Sequence, residues 1–225
     1  IIVSDTLLNN NVYVWRFNLS GGRKIRIRSL NSIQNLAFAE LHKSESNKRN
    51  RLPEYKPVSV WDTVKQEIIY ESKFADNDAF LFIVQFLPDT VGRIEFQFQT
   101  APVLHFPVAE KDSRSILSFW GDRRDGGRRM HEGNDVFAKR GTPLLAVTEG
   151  YISSTRTGGL GGKTVWLRDG EGRRLVYYYA HLDSQMVRKG DYVQRGDTVG
   201  TVGNKGNARY TKPHLHFGIY RRGAR

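Results

Sequence analysis

Short apolar runs separated by glycine-containing turns fill the second half of this chain. Of its 22 glycines, 19 lie in residues 107–225. The apolar runs are residues 144–147, 164–167, 175–179 and 215–220. Runs of this length, bounded by glycine turns, predict many short antiparallel strands and little helix. We therefore expect the second half to form a compact all-β domain.

The first half also carries strand patterns, with fewer glycines. Its strands are predicted at residues 12–17, 24–28, 79–87 and 93–99. The first two flank Ser20-Gly21-Gly22, and glycines in that position predict a hairpin. Ile94, Phe96 and Phe98 alternate with polar residues, so they share one face of their strand. The pattern predicts a small β-sandwich or an open sheet.

A segment with proline and charged residues separates the two patterns. With 225 residues, the chain is long enough for one large core or two smaller ones. We expect a β-rich domain over residues 1–105, a linker at 106–118 and a second domain over 119–225. No motif in the first domain indicates its function. We expect it to have a targeting or regulatory role.

The positive charge of the chain is concentrated in the second half. The net charge is +12, with an excess of +2 in residues 1–106 and +10 in residues 107–225. The electrostatic field of such an excess of positive charge attracts polyanions in general. No helix-turn-helix spacing or RNP-like signature is present, so we expect no specific nucleic-acid partner. The longest strongly apolar run, residues 79–87, is shorter than the ~20 residues of a membrane-spanning helix, so no transmembrane segment is expected.

Two histidines near the end of the chain form the strongest chemical signal. His214 and His216 are two residues apart on a predicted strand, so their imidazoles point to the same face. Leu215 and Phe217 then face the core. The chain has six histidines and no cysteine, which leaves histidine and carboxylate as ligands for a zinc ion. Any zinc site is therefore an N/O site.

A second histidine and a carboxylate complete a candidate ligand set. His131 and Asp135 have the spacing of one helix face, but Gly133 disfavours a helix, so we expect a loop that enters a strand. Gly133, and an aspartate rather than a histidine at 135, also exclude the helical His-Glu-x-x-His protease motif. His131, Asp135 and His216 leave one coordination position open, as catalytic zinc sites do. His181 and His214 are then available as general base and transition-state donor.

Five motifs in the second half have a counterpart in one known family. They are His-x-Gly-x-Asp within 129–136, Gly-Thr-Pro-x-x-Ala and a later glycine within 141–150, Tyr179-Ala180-His181-Leu182, Gly-Asp turns within 189–197, and Pro213-His214-Leu215-His216-Phe217. On these motifs, residues 120–220 resemble the lysostaphin-type zinc endopeptidases, which cleave peptide cross-links in bacterial peptidoglycan. Lys212 stands where many members have glycine.

The resemblance implies a two-sheet antiparallel fold with a groove and one zinc ion per chain. It implies His131, Asp135 and His216 as zinc ligands, with His181 and His214 flanking the water and the scissile carbonyl. The implied substrate is the peptide stem of peptidoglycan, cut either between D-Ala and a diamino acid or within a glycine bridge. The implied location is the bacterial cell envelope, periplasmic or secreted. The alternative is a non-catalytic envelope protein of the same fold that binds peptidoglycan or activates another wall hydrolase.

Overall fold

The chain divides into two compact units. They are Ile1–Val103 and Leu104–Arg225. The structure is a computed structural model that describes residues 1–7, 11–31, 33–45, 54–72 and 77–221. Antiparallel strands dominate both units, which confirms the predicted all-β class. Within the described residues, no helix is long and apolar enough to span a membrane.

The first unit is a sandwich of two four-stranded antiparallel sheets. Its strands are β1 (Ile2–Leu7), β2 (Val12–Ser20), β3 (Arg23–Ser29), β4 (Leu36–Glu45), β5 (Glu54–Val60), β6 (Glu67–Glu71), β7 (Asn77–Phe86) and β8 (Gly92–Pro102). One sheet has the order β1-β8-β3-β6 and the other β2-β7-β4-β5. Aromatic side chains join the sheets: Phe82 on β7 and Phe96 on β8 are fully buried, with ring centroids 5.0 Å apart.

The predicted hairpin between β2 and β3 is wrong, although both strands exist. β2 pairs with β7, whereas β3 pairs with β8 and β6 in the other sheet. Tyr13 and Leu19 on β2 and Ile25 and Ile27 on β3 are all buried in one core. Placing the two strands in facing sheets buries both apolar faces, which removes more apolar surface from water than pairing them side by side.

The second unit contains one large sheet and two small ones. Its strands are β9 (Ile116–Ser118), β10 (Arg123–Arg124), β11 (Arg129–Met130), β12 (Asn134–Phe137), β13 (Pro143–Leu145), β14 (Gly150–Thr157), β15 (Lys163–Asp169), β16 (Leu175–Leu182), β17 (Ser184–Gln185), β18 (Tyr192–Val193), β19 (Thr198–Thr201) and β20 (His214–Arg221). Short 3-10 helices lie at Ser113–Ser115, Asp125–Gly127 and Gly206–Tyr210. The seven-stranded sheet has the order β18-β14-β15-β16-β20-β12-β9, beside a three-stranded sheet β13-β19-β17 and a ribbon β10-β11.

Residues 106–118, predicted as a linker, lie within the second unit instead. Val108 is buried in the core of that unit and forms a β-bridge with Leu144. β9 pairs with β12 at the edge of the large sheet. The proline and charges of this segment suggested an exposed connection, but the apolar Val108 is buried because it covers the core beside β13.

One buried hydroxyl ties the two main sheets of the second unit together. The Oη of Tyr179, on β16, accepts a hydrogen bond from the Val147 amide at 3.0 Å and donates one to the Leu145 carbonyl at 3.1 Å. Tyr179 has no exposed surface. The same strand continues to His181, so these bonds also hold the strand that carries a predicted site residue.

We expect Tyr179→Phe to lower the free energy of unfolding by about 1–3 kcal/mol, because the Val147 amide is left buried without a partner. Urea titration followed by tryptophan fluorescence measures the change. Tyr151→Phe is the matched control: Tyr151 is half-exposed on β14, and a surface change of this kind stays within about 0.5 kcal/mol. Equal stabilities of the two variants would contradict the assigned role of the Tyr179 hydroxyl.

Candidate metal centre and active site

Three of the five predicted site residues converge where β12 meets β20. Asp135 on β12 is the register partner of His216 on β20, and His131 lies in the loop that enters β12. His131 Nε2 lies 3.0 Å from Asp135 Oδ1 and 2.9 Å from His216 Nδ1, and the last two atoms are 3.0 Å apart. The expectation of a loop rather than a helix at His131 is confirmed. The three side chains form a group that can hold a metal ion.

The other two predicted histidines lie beside this group. His214 begins β20, two residues before His216 and on the same face, and its Nε2 is 4.0 Å from Asp135 Oδ1. His181 lies near the end of β16, with its ring centroid 5.1 Å from that of His214 and 5.8 Å from that of His216. All five residues therefore line one groove, a cavity of about 460 Å³.

Backbone carbonyls fix the tautomer of three of the histidines. The Nδ1 of His131 lies 2.9 Å from the Phe119 carbonyl, that of His181 lies 2.8 Å from the Lys205 carbonyl, and that of His214 lies 2.8 Å from the Lys212 carbonyl. A carbonyl only accepts hydrogen bonds, so each Nδ1 carries the proton and each Nε2 presents its lone pair. Lys212 contributes to the site through its backbone oxygen.

His181 has an unusual backbone conformation. Its φ is +65°, in the left-handed region that costs a non-glycine residue about 1 kcal/mol or more. The His181 amide donates to the Gly161 carbonyl at 2.8 Å, and this bond holds the conformation. The register between β15 and β16 shifts at this point, and the His181 ring lies with its centroid 5.1 Å from that of His214.

Burial sets the protonation of the site. Burial, together with the neighbouring His214, lowers the pKa of His181 to about 4, so His181 is neutral at neutral pH. Burial also lowers the pKa of His131. For Asp135, burial works to raise the pKa, but the hydrogen bond with His216 and the charges of the surrounding histidines hold it below its ordinary value. Asp135 is therefore a carboxylate with two neutral imidazoles nearby.

Sequence reasoning missed two residues that touch the site. Arg124 on β10 donates from Nη2 to Asp135 Oδ2 at 2.8 Å. Nothing in the sequence separates it from the other arginines of 123–129. Gly133 packs on His216: a Cβ at that position would lie 2.6 Å from Cε1 and 2.7 Å from Nε2 of the ring. The glycine inside the His-x-Gly-x-Asp motif was the available signal.

The groove continues past the histidines along a basic wall. A second cavity of about 630 Å³ shares Leu160 and Asn207 with the first. Lys205, Arg209 and Tyr210 line it, and the Arg209 guanidinium lies 4.7 Å above the Tyr210 ring. This wall suits a ligand that carries carboxylates.

Comparison with known proteins finds one family that is similar to the part of the chain that carries the site. Residues 129–225 match the model of peptidase family M23. The L-Ala--D-Glu endopeptidase of Bacillus subtilis is 35% identical over 52% of this chain and 37% of its own length. The peptidoglycan DD-endopeptidase ShyC of Vibrio cholerae is 31% identical over 58% of this chain and 30% of its own length.

Lysostaphin of Staphylococcus simulans is similar as well. It is 37% identical over 39% of this chain and 17% of its own length. Its crystallised catalytic domain aligns over 54% of this chain and 82% of that domain at 28% identity, with a TM-score of 0.42. The chain thus spans about a third or less of the length of these curated relatives. Most of the second unit, residues 129–225, is therefore similar to peptidase family M23.

Proposed function

We propose that this chain is a zinc-dependent endopeptidase that hydrolyses peptide cross-links of bacterial peptidoglycan in the cell envelope. The observation that carries the proposal is the convergence of two histidine nitrogens and one carboxylate oxygen within 4.8 Å of one another. Two further histidines with available Nε2 lone pairs lie beside them. The relatives named as peptidoglycan endopeptidases support the substrate class.

The donor set fits zinc. We assign His131, Asp135 and His216 as its ligands, because two imidazoles and one carboxylate form a common catalytic zinc set with an open fourth position. The His131 Nδ1 donates to a backbone carbonyl, which directs Nε2 to the ion as in other histidine zinc ligands. When bound, zinc would act as a Lewis acid that polarises a carbonyl and lowers the pKa of water toward neutrality.

We assign proton transfer and oxyanion stabilisation to His181 and His214. His181 is neutral, and its Nε2 accepts a proton from the attacking water. The Lys212 carbonyl holds His214 so that its Nε2 faces the same space, and we assign this nitrogen to the developing oxyanion, to which it donates once it has taken up a proton. The two rings meet edge to face, with centroids 5.1 Å apart, so both histidines lie at the same part of the groove and the two roles can be exchanged between them.

The basic wall supports a substrate with free carboxylates. Lys205 and Arg209 line the extension of the groove, and the second half of the chain carries most of the net charge. Peptidoglycan stem peptides bear such carboxylates. For the first unit, which lies outside the family match, we propose a targeting or regulatory role.

The test is incubation of purified peptidoglycan with the chain, followed by chromatography and mass spectrometry of the released muropeptides. We expect new amino termini from one class of peptide bond, and their sequence identifies that bond. A zinc chelator should abolish the release, and added zinc should restore it. A chain that binds one zinc ion yet leaves peptidoglycan intact would favour the non-catalytic alternative.

A further inference from the structure

We propose that Arg124 is a positioning residue that fixes the Asp135 carboxylate so that only its Oδ1 is available to a metal ion. The inference rests on the metal site of the proposed function. It concerns an arginine outside the ligand set, on the two-stranded ribbon β10-β11 that precedes His131.

The two oxygens of Asp135 have different partners. Oδ1 lies 3.0 Å from His131 Nε2 and 3.0 Å from His216 Nδ1, at the centre of the ligand group. Oδ2 accepts the hydrogen bond from Arg124 Nη2 at 2.8 Å. The Asp135 side chain is only 10% exposed, so solvent is a poor substitute for the guanidinium. Arg124 therefore selects which oxygen faces the metal group.

Arg124 has further contacts that hold it in place. Its Nη2 also donates to Ser118 Oγ and lies 3.1 Å from His131 Nδ1, and Ser118 Oγ donates to Asp122 Oδ2 at 2.9 Å. Asp122 Oδ2 accepts the Phe119 amide at 2.8 Å, which anchors the chain of bonds to the backbone. Ser118 on β9 is also the register partner of Asp135 on β12, so the anchor and the ligand belong to paired strands.

Loss of the guanidinium has a chemical consequence at the metal group. Without it, Oδ2 is a nearly buried oxygen with no fixed partner, and the carboxylate is free to turn and offer both oxygens to the ion. Partners that orient metal ligands typically change metal affinity by 10–100-fold. An ordinary surface ion pair would not change metal affinity in this way.

The experiment is a zinc titration of the full chain in competition with a chromophoric chelator, performed on wild type and two methionine variants. We expect Arg124→Met to weaken zinc binding by about tenfold or more. Arg123→Met is the matched control, because Arg123 is the exposed neighbour on the same strand and carries the same charge. We expect its zinc affinity to stay within about twofold of wild type. Cobalt(II) absorption provides a second readout, and we expect the Arg124→Met spectrum alone to lose intensity as the carboxylate adds its second oxygen.

Equal zinc affinity and equal cobalt spectra for Arg124→Met and wild type would overturn the inference. Failure of the wild-type chain to bind zinc would instead overturn the proposed function, so the two failures are distinguishable. If thermal unfolding with chelator present shows that Arg124→Met does not fold, Arg124→Lys replaces it. That variant keeps the charge, but its shorter side chain does not place a donor where Nη2 lies, and we expect an affinity between wild type and tenfold weaker. An affinity of Arg124→Lys equal to wild type, with an unchanged cobalt spectrum, would contradict the role assigned to Nη2.

Discussion

Replacing His216 with alanine should reduce bound zinc to well below one ion per chain and cut peptidoglycan hydrolysis by about a thousandfold or more. His216 Nδ1 is one of three proposed ligand atoms that all lie within about 3 Å of one another. Without it, two ligands remain, fewer than catalytic zinc sites use. Lewis-acid catalysis contributes several kcal/mol, and each 1.36 kcal/mol is a factor of ten in rate. Elemental analysis by mass spectrometry and muropeptide release measure the two effects.

Two further variants separate metal loss from proton-transfer loss. His181→Ala should keep one zinc ion while lowering the turnover rate by about 10²–10⁴-fold, because His181 is assigned to proton transfer. His105→Ala should change neither quantity, since that exposed histidine lies outside the residues that line the groove. Normal zinc content in His216→Ala, or zinc loss in His181→Ala as complete as in His216→Ala, would show that the ligands are assigned incorrectly.

A single methyl group added at residue 133 should also weaken zinc binding and peptidoglycan hydrolysis strongly. In Gly133→Ala, the new Cβ would lie 2.6 Å from His216 Cε1 and 2.8 Å from the Phe217 carbonyl oxygen, both far inside van der Waals contact. The ring must move, and Nδ1 then leaves its position 2.9 Å from His131 Nε2. We expect zinc affinity to fall by at least 10–100-fold, with a parallel loss of hydrolysis.

The control for this prediction separates crowding from backbone strain. Gly172 has a φ of +76° and open space around its Cβ position. Gly172→Ala should therefore cost about 1–2 kcal/mol in stability and leave zinc binding intact. Zinc titration and thermal unfolding of both variants provide the comparison. Wild-type zinc affinity in Gly133→Ala would mean that β20 accommodates the methyl group, and the crowding argument would be wrong.

The positions of most candidate site residues could be predicted from the sequence, because the patterns that carry them depend only on local backbone conformation. The two-residue spacing of His214 and His216 predicted a common face on one strand, and β20 confirms it. The poor helix-forming tendency of Gly133 predicted a loop before β12, which is also confirmed. These inferences need only the conformation of a few neighbouring residues.

Features that depend on tertiary contacts could not be predicted from the sequence. The turn at Gly21 and Gly22 gave no indication that its two strands enter different sheets, because turn residues report local conformation and not which strand pairs with which. Arg124 was indistinguishable from its neighbours, since only the three-dimensional position of Asp135 gives it a role. Ile116–Ser118 was too short to signal a strand against the charged segment around it.

The register between β12 and β20 has a consequence for biosynthesis. The atoms that meet there come from positions 85 residues apart, His131 and His216. On the proposed ligand assignment, a nascent or proteolytically shortened polypeptide without β20 lacks one of the three ligands, so we expect it to bind no zinc and to leave peptidoglycan intact however well its earlier strands have folded. We expect ion binding only after the last described strand docks, and the bound ion would then hold that strand in place. Hydrolysis would be restricted to molecules whose second unit is fully assembled.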